Sequence, residues 1–120
     1  MEWISIIIQL IIAVSIFNVW LLRFSKPTSW RGGAAQNMKE EFKAYGLPDW
    51  FMKVIGSLKV LLASLLVIGI FLPALVKPAA VGMAVLMLGA ILMHVKIKDA
   101  PIKSLPAFTF LVLSLYLIFI

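Results

Sequence analysis

Four long apolar runs separated by short polar segments divide the chain, and their lengths are those of helices that cross a bilayer. Trp3 to Leu22 is interrupted only by Ser5, Gln9, Ser15 and Asn18, and its roughly 20 residues at about 1.5 Å each match a hydrocarbon core of about 30 Å. The second run, residues 51–72, follows Pro48 and Asp49. Proline's fixed φ and a carboxylate against the helix dipole both suit a first helical turn. The third span is predicted over residues 79–95 and the fourth over residues 104–120, where Ser104 and Pro106 can open a helix whose polar members are Thr109, Ser114 and Tyr116. Pro73 and Pro78 bracket a link, Ala74 to Lys77, too short for anything but antiparallel neighbours. The expected fold is all-α: one integral membrane domain over residues 1–120, an antiparallel four-helix bundle.

Between the first two runs, Arg23 to Asp49 turns charged, with Lys26-Pro27, Gly32-Gly33 and Gly46-Leu47-Pro48 as breakers. Within it Ala35, Met38, Phe42 and Tyr45 recur at helical spacing. Lys39, Glu40, Glu41 and Lys43 are assigned to the opposite face and Gly46 to the stop, so a short amphipathic helix is predicted over residues 34–45. Two placements suit it: flat on the membrane surface, or packed on the bundle as a connector. Trp3 and Trp20, near the ends of the first span, and Trp50 and Phe51, at the start of the second, are expected at the headgroup boundary.

Composition agrees with lipid as the solvent: 63% of the 120 residues are hydrophobic, and the mean hydropathy is +1.10. The net charge of +6 is spread between apolar spans and not gathered on a polar domain, which argues against nucleic acid and for anionic membrane lipids as its counterpart. With no Cys, disulfides, thiolate metal sites and dithiol redox chemistry of the vitamin K epoxide reductase type are excluded. Met1-Glu2 lacks the basic start of a secretory signal, so the first run is read as a retained span. Arg23, Lys26, Arg31, Lys39, Lys43, Lys53, Lys96, Lys98 and Lys103 flank the spans on one side and Lys77 alone on the other. The positive-inside rule then puts both charged loops in the cytoplasm and both termini outside, in a bacterial inner membrane.

One charge falls deep inside a span. Lys59 lies roughly 5–9 residues into the second helix, about 7–14 Å deep, where an ammonium costs about 2.5–3.5 kcal/mol unless it snorkels, pairs or faces a polar interior. Asp49 and Asp99 are the available charge partners. Because the helices alternate in direction, Asn18, Lys59, His94 and Thr109 all fall in the same, loop-side half of the bundle. His94 shares a helical stripe with Met83, Met87 and Ala90, which suggests a Met-lined cavity with a His at its mouth. Plain packing with an interfacial His, and a snorkelling Lys59, explain the same residues. One His, no Cys and no carboxylate within a span make no metal shell, and neither a haem site, a Ser-His-Asp set nor a proton relay is evident. Gly56, Gly82 and Gly89, with Ala80, Ala84 and Ala90, are expected to let helices approach closely.

The segments FKAYGLPDWFMKVIGSLKVLLASLLVIGIFLP and LMLGAILMHVKIKDAP, with the SLPA that follows, resemble the DoxX-like four-helix membrane proteins over nearly the whole chain. The resemblance implies the fold, and roles as diverse as a small subunit of a thiosulfate:quinone oxidoreductase, subunits of complexes linked to oxidant defence, and an animal branch that assists assembly of nicotinic receptors. It also matches His94 to the family's His at the end of helix three, whereas relatives often carry a carboxylate near the position of Lys59.

Two function classes follow. The first is an accessory bundle without a catalytic centre of its own that binds a quinone or lipid-like amphiphile: Lys59 and His94 hold the head, Asn18 and Thr109 add hydrogen bonds, and Met83, Met87 and Trp50 line the apolar part. The second is an interaction subunit or assembly factor whose faces around Gly82 and Gly89 dock on another membrane protein or a second copy. A quinone-linked oxidoreductase subunit would need a redox centre that these residues do not supply.

Overall fold

The computed structural model describes residues 2–28 and 30–120, and these are all-helical with connecting turns. Helix α1 (Glu2–Phe17) runs into a π-helical turn, Asn18–Leu22. Helix α2 (Met38–Ala44) lies in the long loop, and α3 (Asp49–Ile68), α4 (Val76–Lys96) and α5 (Leu105–Phe119) follow. Single 3-10 turns, Pro73–Leu75 and Pro101–Ser104, precede α4 and α5. Among the described residues four stretches are long and apolar enough to cross a membrane: Trp3–Leu22, Asp49–Ile68, Pro73–Lys96 and Pro101–Phe119.

The surface of this bundle is apolar. Ile7, Val14, Leu61, Val85, Leu92 and Val112 all point outward, a belt that water would not tolerate but hydrocarbon favours. Inside, α1 packs on α3, α3 on α4 and α4 on α5. Ala13, Ala63 and Ala80 are fully buried at these contacts, where a short side chain lets backbones approach. Gly82 serves the same end: a methyl built there would stand 3.0 Å from both Leu62 methyls on α3. Gln9, also buried, donates from Nε2 to the Leu66 carbonyl at 2.7 Å, near the end of α3 where carbonyls run out of helical partners.

Two span boundaries differ from those predicted. Residues 74–77 are not an open link but the start of the third span, because Pro78 falls in the first turn of α4, where an N–H has no helical acceptor to lose. The second span is shorter, since α3 ends at Ile68 and residues 69–72 turn back with Ile70 N–H on Val67 and Phe71 N–H on Ile68.

The loop helix is shorter than predicted and packs on the bundle. It starts after Asn37, whose side chain accepts from the Glu40 N–H at 2.8 Å. It ends at Ala44, and two residues on the φ of +78° at Gly46 lets the Leu47 N–H reach back to the Phe42 carbonyl. Ala35, Met38, Phe42 and Tyr45 are all buried. Glu41, expected on the solvent face, turns inward, because three and four residues from Met38 and Tyr45 it shares their stripe. The two charged loops meet at one end of the bundle: Lys96 Nζ donates to the Tyr45 carbonyl (2.8 Å), Lys103 Nζ to the carbonyls of Arg31 (2.9 Å) and Gly33 (2.7 Å), and Gly33 N–H to Asp99 (3.0 Å).

Candidate ligand cavity at the loop end of the bundle

The site is organised by the end of α1. The π turn, closed by the Arg23 N–H on the Asn18 carbonyl at 2.8 Å, fits an extra residue into one turn and swings the side chains that follow. Trp20, expected at the headgroup boundary, is for this reason buried, 9% exposed, against Phe24 and Phe42. Its ring packs against Gly56 of α3, where a Cβ would come within 2.5 Å of a ring carbon. One turn further along α3, Lys59 extends its ammonium over the same ring, 5.6 Å from the centroid, in cation–π contact.

Neither expected carboxylate meets Lys59. Asp49 faces Lys39 at 3.6 Å on the surface, and Asp99 takes His94 at 2.7 Å. Among the described residues Lys59 has no ion pair.

A chain of polar side chains runs between the loops. Asp99 accepts from His94 Nδ1, His94 Nε2 lies 3.4 Å from the Tyr45 hydroxyl, and that hydroxyl donates to Glu41 Oε2. Glu41 is bound by Arg31 at 3.1 Å. Arg31, 3% exposed, also donates to the carbonyls of Arg23, Lys26 and Phe24. Burial of Tyr45, then the adjacent Glu41 carboxylate, pushes its phenol far above the usual range. Desolvation pushes Asp99 up, but the bonds from His94 and the Gly33 N–H and the charges of His94 and Lys103 outweigh it and hold the carboxyl low.

Between this chain and Lys59 lies a cavity of about 770 Å³, within the size range of small-molecule sites. Of the residues predicted to form a site, Asn18, Lys59, Met87 and His94 share its wall, with Gly89. A methyl on Gly89 would meet no atom within 4 Å, so α3 and α4, tight at Leu62 and Gly82, have parted here. The other predicted residues lie elsewhere. Met83 is sealed in the core, Trp50 points outward, and exposed Thr109 bonds the Leu105 carbonyl of its own helix at 2.8 Å, a local bond that satisfies a hydroxyl in lipid. Arg31, Glu41 and Tyr45, which sequence patterning does not bring to this site, also form its wall. The i, i+4 spacing of Glu41 and Tyr45 was the available signal, but nothing local paired them with Arg31 or His94. Exposed Val19, Trp30 and Val85 also contribute to the wall, so the cavity reaches the surface of the bundle. Among the described residues no three His, Cys, Asp or Glu side chains converge as a metal shell would require.

Comparison with curated proteins and with solved structures returned no match. A family model does match: it covers residues 28–117, from the long loop through α5, and so includes the polar chain, Lys59 and most of the cavity wall. With four membrane-length apolar helices and a match over most of its length, the chain belongs to the DoxX-like family.

Proposed function

We propose that this protein is an accessory membrane bundle that takes an amphiphile, a quinone or a lipid, from the bilayer into the cavity between Lys59 and the Tyr45–His94 pair. One observation carries the reading: an ammonium without an ion-pair partner among the described residues stands on the wall of a roomy, largely apolar cavity at membrane depth. Such a charge costs about 2.5–3.5 kcal/mol in hydrocarbon when nothing compensates it, and a ligand head supplies that compensation. Snorkelling explains it less well, since the ammonium ends over a buried ring inside the bundle. At the loop end the wall carries exposed Arg23 and Trp30 beside buried Arg31, while exposed apolar Val19 and Val85 form its side wall. An amphiphile enters past Val19 and Val85, from lipid, with its head toward the loops.

By the positive-inside bias the loop end of the bundle faces the cytoplasm. Docking of another membrane protein through Gly82 and Gly89 has less support, because Gly82 is occupied by Leu62 and Gly89 looks into the cavity. Native mass spectrometry after extraction in mild detergent tests the amphiphile reading. A lipid or quinone adduct is expected on the wild type and should be depleted in Lys59→Leu. A bundle that is empty in both, or equally loaded in both, overturns it.

A further inference from the structure

We infer that the head group held in this cavity is an anion, a carboxylate or a phosphate, and not a neutral ring or alcohol; the inference rests on the amphiphile reading above. The charges on the wall are unbalanced. Among the described residues Arg23, Arg31, Lys59 and Lys103 line the wall with Glu41 as its one carboxylate, and Glu41 is already met by Arg31 at 3.1 Å and by the Tyr45 hydroxyl. Asp99 stands behind His94, engaged by its Nδ1 at 2.7 Å. Lys103 donates to the carbonyls of Arg31 and Gly33, and its charge also acts on Asp99. Lys59 has no ion pair among the described residues, and its ammonium stands over the face of Trp20. Four cations against Glu41 and Asp99 leave this end of the cavity net positive, and Lys59, within an apolar span, is where that charge is least screened.

A neutral head leaves that potential standing. A carboxylate or phosphate on an apolar tail cancels it, with Lys59 as the deepest contact and Asn18 beside it as a further donor. Tail and head are then read by different parts of one cavity: the tail by the open space beside Gly89, the head by Lys59.

The test uses the full chain in nanodiscs of zwitterionic lipid, with three probes of one chain length: oleate, oleoyl lysophosphatidate and oleyl alcohol. Both anions, or the one whose head fits, should bind on the order of tenfold more tightly than the alcohol. Whichever anion binds better identifies the head as fatty acid or phospholipid in origin. Lys59→Met should remove the preference and Lys59→Arg should keep it. Gly89→Leu, which fills space and touches no charge, should weaken all three probes. Equal binding of alcohol and anions, or a preference that survives Lys59→Met, overturns the anionic head and leaves the cavity reading standing. Binding of none of the probes, or binding indifferent to Gly89→Leu, overturns both.

Discussion

Gly56 and Gly89 look alike in the sequence, small residues on apolar helices, yet they stand in opposite surroundings. A methyl on Gly56 would enter the Trp20 ring, 2.5 Å from its nearest carbon, whereas one on Gly89 meets nothing. Gly56→Ala should therefore cost about 1–3 kcal/mol through overpacking, while Gly89→Ala should be neutral or stabilise by up to about 1 kcal/mol through helix propensity. Unfolding in detergent micelles compares the two; equal effects would mean that Trp20 does not rest on Gly56. Tyr45 gives a pH signature. Its phenol is raised in the folded state above the ordinary value near 10, so above that value the unfolded chain has released a proton that the folded chain keeps. Stability should be fully present below about pH 10 and fall as pH rises beyond it, a decline missing in Tyr45→Phe. A thermal-unfolding series from pH 8 to 11, on the order of this window, reads the difference.

The loop between α1 and α3 is held as an element by one side chain. Arg31 closes the segment on itself through Arg23, Phe24, Lys26 and Glu41, while its own carbonyl and that of Gly33 take Lys103 from the opposite loop. Arg31→Met should cost about 3–5 kcal/mol, because it strands the partly buried Glu41 charge along with three carbonyls. Adding Glu41→Gln should recover part of the loss. Hydrogen exchange over residues 23–48 measures it, and protection unchanged in the single variant would contradict the role given to Arg31. The helical stripe of this loop was legible in the sequence, since Met38, Phe42 and Tyr45 repeat at helical spacing. The inward turn of Glu41 was not, because a carboxylate reads as solvent-facing until its arginine is known.

At the scale of the molecule, the proposed orientation is the feature most open to direct measurement. The chain has no Cys, so single cysteines report one position at a time. Lys98→Cys, between α4 and α5, should be blocked only by a thiol reagent that reaches the cytoplasm, and Lys77→Cys by an impermeant reagent added outside. The reverse pattern would invert the bundle. The four spans could be read without coordinates because membrane crossing is a local property: about 20 apolar residues that satisfy their own backbone. What each helix turns toward its neighbours is not local. In lipid the outer and inner faces are both apolar, so hydrophobic periodicity carries little information about rotation. Partners far apart in sequence were decided only by tertiary structure: Tyr45 with His94, 49 residues on, Gly33 with Lys103, 70 residues on, and Trp20 with Gly56 and Lys59. The sequence alone determined that Lys59 lies at membrane depth; helix rotation and the π turn of α1 decided that it stands over Trp20 and faces a cavity, because both depend on contacts between residues far apart in the chain.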